Sequence, residues 1–587
     1  MASRSIVSRL RAARSYAPAP PVAGTGEKAA DPRVLPRDAH YEDVDVAIVA
    51  ESTYPFLKGG VSAVVHDIVK GNQDLSFGIL HVTWDSASRQ EDLYGMPPNV
   101  KWVRPIYLSM QEHVEDFVRV DPGSTGLSSA KEVAAVAARI LDAVEAVAAG
   151  DNAPMLALYD DGMNPRTRTF FVWSVLGTKE FMAAARQRLG GLGLPLIDTF
   201  WLLREFFSLS YAILSEDVPR ARVYHAHTTG YASLLGAMAA RQNGTKFLLT
   251  EHNLYVRDTV NALLGRSLAL TLDQGDWKAM DVAPTERAWM AWWIEMGRFC
   301  YPSAELITYL YPSAVTEAAD LGAPIGKAVI IPNGMRIPDF DAAHAKRREA
   351  VEEILACDPA ERTWRLAYIA RLVPIKGLVD LISTLGVLVS RGVTNFHLDV
   401  LGPTDHAPDY YMLCREQART LGVEDYITFW GTADVRQALG GFDLLVLPSY
   451  NEGQPIVVLE AMTAGIPVVG TNVGGMGQLI SDPLTTPGGR TFDACGVLVN
   501  PDYVVGMANA IQEVIGSPQK YAEYSANARH RVVNFFQLDD VVGAYNRLYK
   551  ELGGLALDQP ERWDRSAAVI DLTEPASAQD GSRRVPR

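Results

Sequence analysis

Cysteine is scarce: the 587 residues hold four, Cys300, Cys357, Cys414 and Cys495. They lie far apart and form no CxxC pair, so neither a zinc ribbon nor a disulfide framework is supported, and a reducing, cytoplasmic setting is expected. Long hydrophobic runs are missing too. The most apolar stretches, 170–176 and 442–448, fall well short of the roughly 20 residues needed to cross a bilayer. Positive charge is in deficit, with 54 Lys and Arg against 69 Asp and Glu and a net charge of −15. That balance argues against a general binder of nucleic acid or anionic membrane and leaves room for a local basic pocket. No Walker A sequence, no GxGxxG fingerprint and no internal repeat occurs. No secretory h-region opens the chain. Arg4, Arg9, Arg11 and Arg14 precede the first acidic residue, Glu27, which fits a flexible basic tail or an organellar transit peptide.

What is present is core material. Hydrophobic residues make up 48% of the chain, enough for two large domains or three to four smaller ones. Residues 1–40 are rich in Ala, Pro and Arg, and 554–587 lack an apolar period, so both ends are expected to be disordered tails. Between them, short apolar runs at 44–50, 246–250, 328–331, 365–370, 396–401, 443–447, 467–470 and 496–499 read as parallel strands covered on both faces. Amphipathic stretches such as 61–70 and 455–464 separate several of them, and this alternation predicts doubly wound α/β sheets. One run covers about 44–335 and another about 360–500, joined through 337–338 and the charged stretch 342–357. Within the first, about 108–221 lacks clean strands; its segment 128–149 has a Ser cap and helical period, so a helical insertion is expected there.

Four segments carry candidate chemistry. SYNEGQPIVVLEAMTAG (449–465) follows the strand at 443–447 and so leaves a sheet at its carboxyl end. It offers Glu452 in the loop, Gly453 for a tight turn, Pro455 at the first helical position, and a helix N-terminus suited to phosphate, with Glu460 farther along. IARLVPIKG (369–377) places Arg371 and Lys376 on one βα loop, where a planar fork and a point charge suit a diphosphate. ESTYPFLKGGV (51–61) opens a helix with Gly59–Gly60 and lets a ligand approach backbone N–H groups. YHAHTTGY (224–231) and TEHNLYVRD (250–258) put histidines after strands on one edge of the first sheet. Each segment alone also has a plain reading: a solvated Glu pair, two solvated loop cations, an ordinary turn, hydrogen-bonded structural histidines. The HxH pair lacks further ligands at metal spacing. Asp43–Val44–Asp45 formally matches a DxD, yet precedes the first strand, on the wrong edge of the sheet. Trp292–Trp293 fit core or interdomain packing.

Taken together, Glu452-x7-Glu460, Arg371-x4-Lys376, Gly59–Gly60, IPNG (331–334) and the turn at 473–475 resemble the retaining glycosyltransferases of family 4 with the GT-B fold. YPFLKGGVS, HAHTTGYAS, TEHNLYVRD, LGPTDHAPDYY and EGQPIVVLEAM look like motifs of the PelF-type group, which is linked to Pel exopolysaccharide synthesis. The resemblance spans about 44–550. Asn253 stands where that group is expected to have Gly, and VGGM replaces a turn that there usually carries Cys.

The resemblance implies two Rossmann-like domains facing across a cleft. Residues 41–340 would form the acceptor domain and 341–535 the nucleotide-sugar domain, with a helix in 536–553 crossing back onto the first. Arg371 and Lys376 would neutralise the departing diphosphate without a metal or other cofactor. Glu460 would hold the ribose, while Glu452 and the backbone of Gly453, Gln454, Pro455 and Ile456 would grip sugar and phosphate beside Gly59 and Gly60. A histidine would contact the donor sugar near the reacting carbon: His252 fits best, His225 competes, and Arg257 lies in the same motif, near sugar or acceptor. The expected donor is UDP-glucose, with other UDP-hexoses or GDP-mannose open. The acceptor is a saccharide, and a membrane polysaccharide-export complex is a candidate recruiter. A non-catalytic nucleotide-sugar-binding subunit and an HxH metallohydrolase are the competing functions.

Overall fold

The computed structural model describes residues 31–557 except 89, 114–125, 190–194, 266–271 and 273–275. The tails expected at 1–30 and 558–587 lie outside the described residues. The segment 31–40, also expected as tail, is instead tied down. Val34 bridges Val103 in parallel, and the Arg33 guanidinium reaches Asp31 and the carbonyls of Met96 and Pro97.

Seven parallel strands form the first sheet: β1 (Val44–Glu51), β2 (Phe77–Thr83), β3 (Val100–Tyr107), β4 (Ala221–Ala226), β5 (Lys246–Glu251), β6 (Leu306–Tyr309) and β7 (Ala328–Ile330), in the order β3-β2-β1-β4-β5-β6-β7. Six parallel strands form the second: β8 (Trp364–Ile369), β9 (Phe396–Leu401), β10 (Ile427–Gly431), β11 (Leu444–Leu447), β12 (Val468–Thr471) and, after a small hairpin of β13 (Leu484–Thr485) and β14 (Thr491–Phe492), β15 (Gly496–Val499). Their order is β10-β9-β8-β11-β12-β15. Both are doubly wound Rossmann-like sheets, as expected. Strand order reverses between β1 and β4 and again between β8 and β11, and ligands of such sheets sit in the crevices at those carboxyl ends.

The central strands are continuously buried. Residues Phe77–Thr83 show no exposed position, because helices cover both faces. Between β3 and β4 the described chain is helical apart from connections. The helix Ala130–Ala148 starts with a full capping box, Ser129 with Glu132, and the helix Leu196–Leu214 ends the excursion. On the helix Pro284–Ser303, between β5 and β6, Trp293 packs edge-on to Tyr231 and Tyr255, and Trp292 stacks flat on Phe206 of the excursion.

The last described helix, Leu538–Gly553, crosses back. Val541, Ala544, Tyr545, Leu548 and Tyr549 join one core with Val46, Ile48 and Phe77 of the first sheet and with Val65 and Ile68 of the helix Gly60–Gly71. Burying a large apolar side chain there contributes roughly 1.5–3 kcal/mol. The crossover is pinned by Met335 N–H donating to Phe536 O at 2.8 Å and Leu538 N–H donating to Met335 O at 3.0 Å. Gly554 ends the helix in the left-handed region, φ 64. Among the described residues no helix is long and apolar enough to cross a membrane.

Candidate active site

The loops after β8 and β11 are locked together before any side chain acts. Gly377 has φ +68, and a Cβ on it would stand 2.1 Å from the Pro448 carbonyl oxygen, so both conformation and space demand glycine. Tyr450 N–H donates to Ile375 O at 2.9 Å. This backbone contact brings Lys376, at the end of the 3-10 turn Pro374–Lys376, to Glu452: Nζ and Oε1 are 2.6 Å apart, with side chains 18% and 9% exposed. A charge-assisted hydrogen bond is shorter and stronger than one between neutral groups.

The VGGM turn supports the same loop. Gly475 N–H donates to Gly453 O at 2.7 Å. A Cβ on Gly474, φ +53, would meet Glu452 O at 1.7 Å. Arg371 directly follows β8 on the connection that carries Lys376. Pro455 is the N-cap of the helix Ile456–Thr463 rather than its first residue. One position later than expected, Ile456 starts the turn whose N–H groups lack intrahelical acceptors. Glu460 lies inside that helix, partly buried. Burial pushes its carboxyl up to about 7, with Arg436 opposing and Asp434 adding to the rise; it does not join the Lys376–Glu452 pair.

Across the cleft, Gly59 and Gly60 are exposed at the start of the helix Gly60–Gly71, and a Cβ on either would meet nothing within 4 Å. Gly59 has φ 176, extended backbone open to any residue. Neither the turn conformation nor packing therefore requires glycine at this position. Ser52, two residues into the same loop region, holds φ 48, a strained value for a side-chain-bearing residue and of the kind that clusters at functional loops.

His252 sits where the two halves touch. A Cβ on Gly453 would stand 2.0 Å from its carbonyl oxygen. Its Nε2 lies 2.9 Å from His227 Nδ1, and burial pulls its pKa down to about 4. Sequence reasoning missed His227, although HAH at strand period two places His225 and His227 on one face.

Three expected site residues are used differently. His225 belongs to β4 itself and is fully buried under the crossing helix. Its ring nitrogens are taken by Tyr549 Oη and Thr250 Oγ1, both at 2.7 Å, so it faces the core and not a sugar. Arg257 is 3% exposed. Its guanidinium donates to Glu317 (2.5 Å), Asn253 (3.1 Å), Asn451 (3.0 Å) and Asp258, because its helix, Tyr255–Leu263, points that face at the second domain. Asn451 Nδ2 donates to Asp258 in return, as does Asn253 Nδ2. Asn253 is thereby part of an interdomain tether. Burial pushes Asp258 up to about 6, with Arg257 opposing. The side chain of Gln454 is likewise spent between domains: its Oε1 accepts from Asn333 N–H at 2.6 Å and its Nε2 donates to Leu310 O at 3.4 Å, while Nε2 also donates within its own domain to Gln478 at 2.9 Å. Among the described residues, no group of three or more His, Cys, Asp or Glu is arranged to hold a metal ion.

Two Rossmann-like sheets meeting at their carboxyl ends, with a C-terminal helix returning to the first, define the GT-B fold. Residues 363–517 match the family described as Glycosyl transferases group 1, and residues 44–325 match a Domain of unknown function (DUF3492). Over 252 residues the chain is 27% identical to a D-inositol 3-phosphate glycosyltransferase of Gordonia bronchialis, covering 40% of this chain and 52% of that protein. A namesake from Rhodococcus erythropolis is 30% identical over 199 residues, 32% and 41% of the two chains. The chain thus spans about half the length of these curated relatives, or less. Among solved structures, Anabaena HepE in complex with UDP superposes with TM-score 0.50 at 16% identity, over 86% of this chain and 99% of that one. Sucrose-phosphate synthase from Thermosynechococcus elongatus gives 0.50 at 16%, over 87% and 99%.

Proposed function

We propose that this chain is a retaining glycosyltransferase that moves a hexose from a nucleotide sugar, UDP-glucose first among donors, to a saccharide acceptor. The observation that carries this reading is the Lys376–Glu452 pair, 2.6 Å apart at the switch point of the second sheet, beside the His252–Gly453 contact. An arriving diphosphate would exchange one anionic partner of Lys376 for another and release Glu452 to accept hydrogen bonds from sugar hydroxyls. Lys376 and Arg371 would then stabilise the charge that develops on the leaving phosphate, which is electrostatic catalysis without a metal. The helix N-terminus at Ile456 adds backbone N–H groups and a positive dipole end for phosphate. Glu460 would take the ribose. Gly59 and Gly60 keep the opposite wall clear for the donor. The departing phosphate would help deprotonate the acceptor hydroxyl on the same face, so no carboxylate nucleophile is assigned. The family resemblance adds a role in exopolysaccharide synthesis and recruitment to a membrane export complex, and the sparse, unpaired cysteines add a reducing, cytoplasmic setting.

The test is UDP release from UDP-glucose by purified protein, with EDTA present and with a panel of other nucleotide sugars. Turnover that Lys376→Ala abolishes supports the reading. Nucleotide-sugar binding without turnover, with any acceptor saccharide, would favour a binding subunit instead.

A further inference from the structure

The pairing of His227 with His252 serves no purpose that packing alone explains. The rings lie nearly parallel, 22° apart with centroids 5.2 Å apart, and are joined by one short nitrogen-to-nitrogen contact, His227 Nδ1 to His252 Nε2 at 2.9 Å. His227 is 2% exposed, and its other nitrogen, Nε2, is buried with no protein partner. His225 also lies against it, centroids 4.1 Å apart, anchored to Tyr549 and Thr250. Burial lowers the pKa of both paired rings, so each is a neutral imidazole with one proton.

Two nitrogens in such a contact share a single proton, and the two placements differ in cost. If His252 Nε2 donates, the His227 proton must sit on Nε2, where it becomes a buried N–H without an acceptor. If His227 Nδ1 donates, what remains at His227 Nε2 is a bare lone pair. Orphaned buried N–H groups are the rarer and costlier of the two. The second placement wins, and it forces the proton of the half-buried His252 onto Nδ1, the ring nitrogen that the pair does not use.

We propose that His227 is a positioning residue that fixes His252 as its Nδ1–H tautomer, so that this ring offers the cleft a neutral hydrogen-bond donor and not a base. The assignment rests on reading the cleft as a nucleotide-sugar site. It gives His252 a chemical task there: donating to a sugar oxygen while adding no charge to compete with Lys376 for the phosphate. A partner hydrogen bond that sets which imidazole nitrogen carries the proton is a general device of functional histidines.

The tautomer can be read without activity. Full-length protein labelled with 15N-histidine is examined through long-range 1H–15N couplings, with His252→Asn and His225→Gln variants for assignment. Protonated-type Nδ1 and bare-type Nε2 resonances for His252 are expected in wild type. His227→Phe should abolish that pattern and lower kcat for UDP release by roughly 10-fold with donor KM nearly unchanged. His227→Asn, whose amide can donate from the place of Nδ1, should restore both. A His252 ring protonated at Nε2 in wild type, or a tautomer indifferent to His227→Phe, overturns the proposal. If wild type shows the Nδ1–H pattern but releases nucleotide from no sugar donor, the tautomer assignment stands and the transferase reading fails.

Discussion

The two sheets share a strand order, and their carboxyl ends present opposite chemistry. On the second, Lys376 meets Glu452 as an ion pair with partial solvent access. On the first, His225, His227 and His252 form a stack of rings that burial keeps neutral. One topology thus supplies charge on one wall and uncharged donors and acceptors on the other, so the function has to be argued from loops and not from the fold. The difference follows from burial. Burial penalises the charged form of an imidazole, and the hydrogen-bond partners of these rings are themselves uncharged.

Arg257 is the exception, a buried charge on the neutral wall, and it tests the comparison hardest. Arg257→Ala leaves Asp258 and Glu317 without their cation. About 3–5 kcal/mol of stability should be lost in denaturant unfolding, and the loss should shrink when Asp258→Asn is added. Next in size, Lys376→Ala should lower UDP release about 100- to 1,000-fold while leaving the melting temperature nearly intact; the reverse pattern would assign Lys376 a structural task. Gly453→Ala probes where the walls touch. Its Cβ would collide with His252 O, at a cost of about 1–3 kcal/mol, and small-angle scattering should report a more open chain.

The last comparison concerns pH. His81 is buried on β2 with Nδ1 3.2 Å from Tyr54 O, and its pKa falls to about 4. Native His81 refuses a proton that the unfolded chain accepts near 6.5, so its contribution is complete above that pH and is lost as pH drops toward 4. Glu251, pushed up to about 7 by burial, has the opposite sign, because the native state gains its proton first. The measurement is therefore a difference: His81→Gln should flatten the acid slope of stability by about 1.4 kcal/mol per pH unit. An unchanged slope would show that His81 takes up a proton alike in the native and unfolded states.

The second sheet was more legible in the sequence than the first. Its central strands were expected within a residue or two, because fully covered parallel strands read as unbroken apolar runs. The edge strands β3 and β10 escaped that pattern: β3 contains Pro105 and exposes Lys101, and β10 exposes Trp430. The missed β2 is as apolar as its neighbours, and only its embedded Gly78 and His81 disguised it. At the site, Lys376 and Glu452 could be paired from the loops that carry them. The spending of Gln454, Arg257 and His225 on interdomain or core contacts could not, since it depends on partners 121, 194 and 324 positions away.

The returning helix has a temporal consequence. One face of the first sheet, with Val46, Ile48 and Phe77, is roofed by residues 541–549. A ribosome therefore releases the N-terminal half with that face covered only in part, by the helix Gly60–Gly71, and the half cannot close fully until almost everything else has been made. The late arrival of its own lid couples the maturation of both halves, and a nascent chain stalled anywhere in the second sheet should display a sticky surface to chaperones.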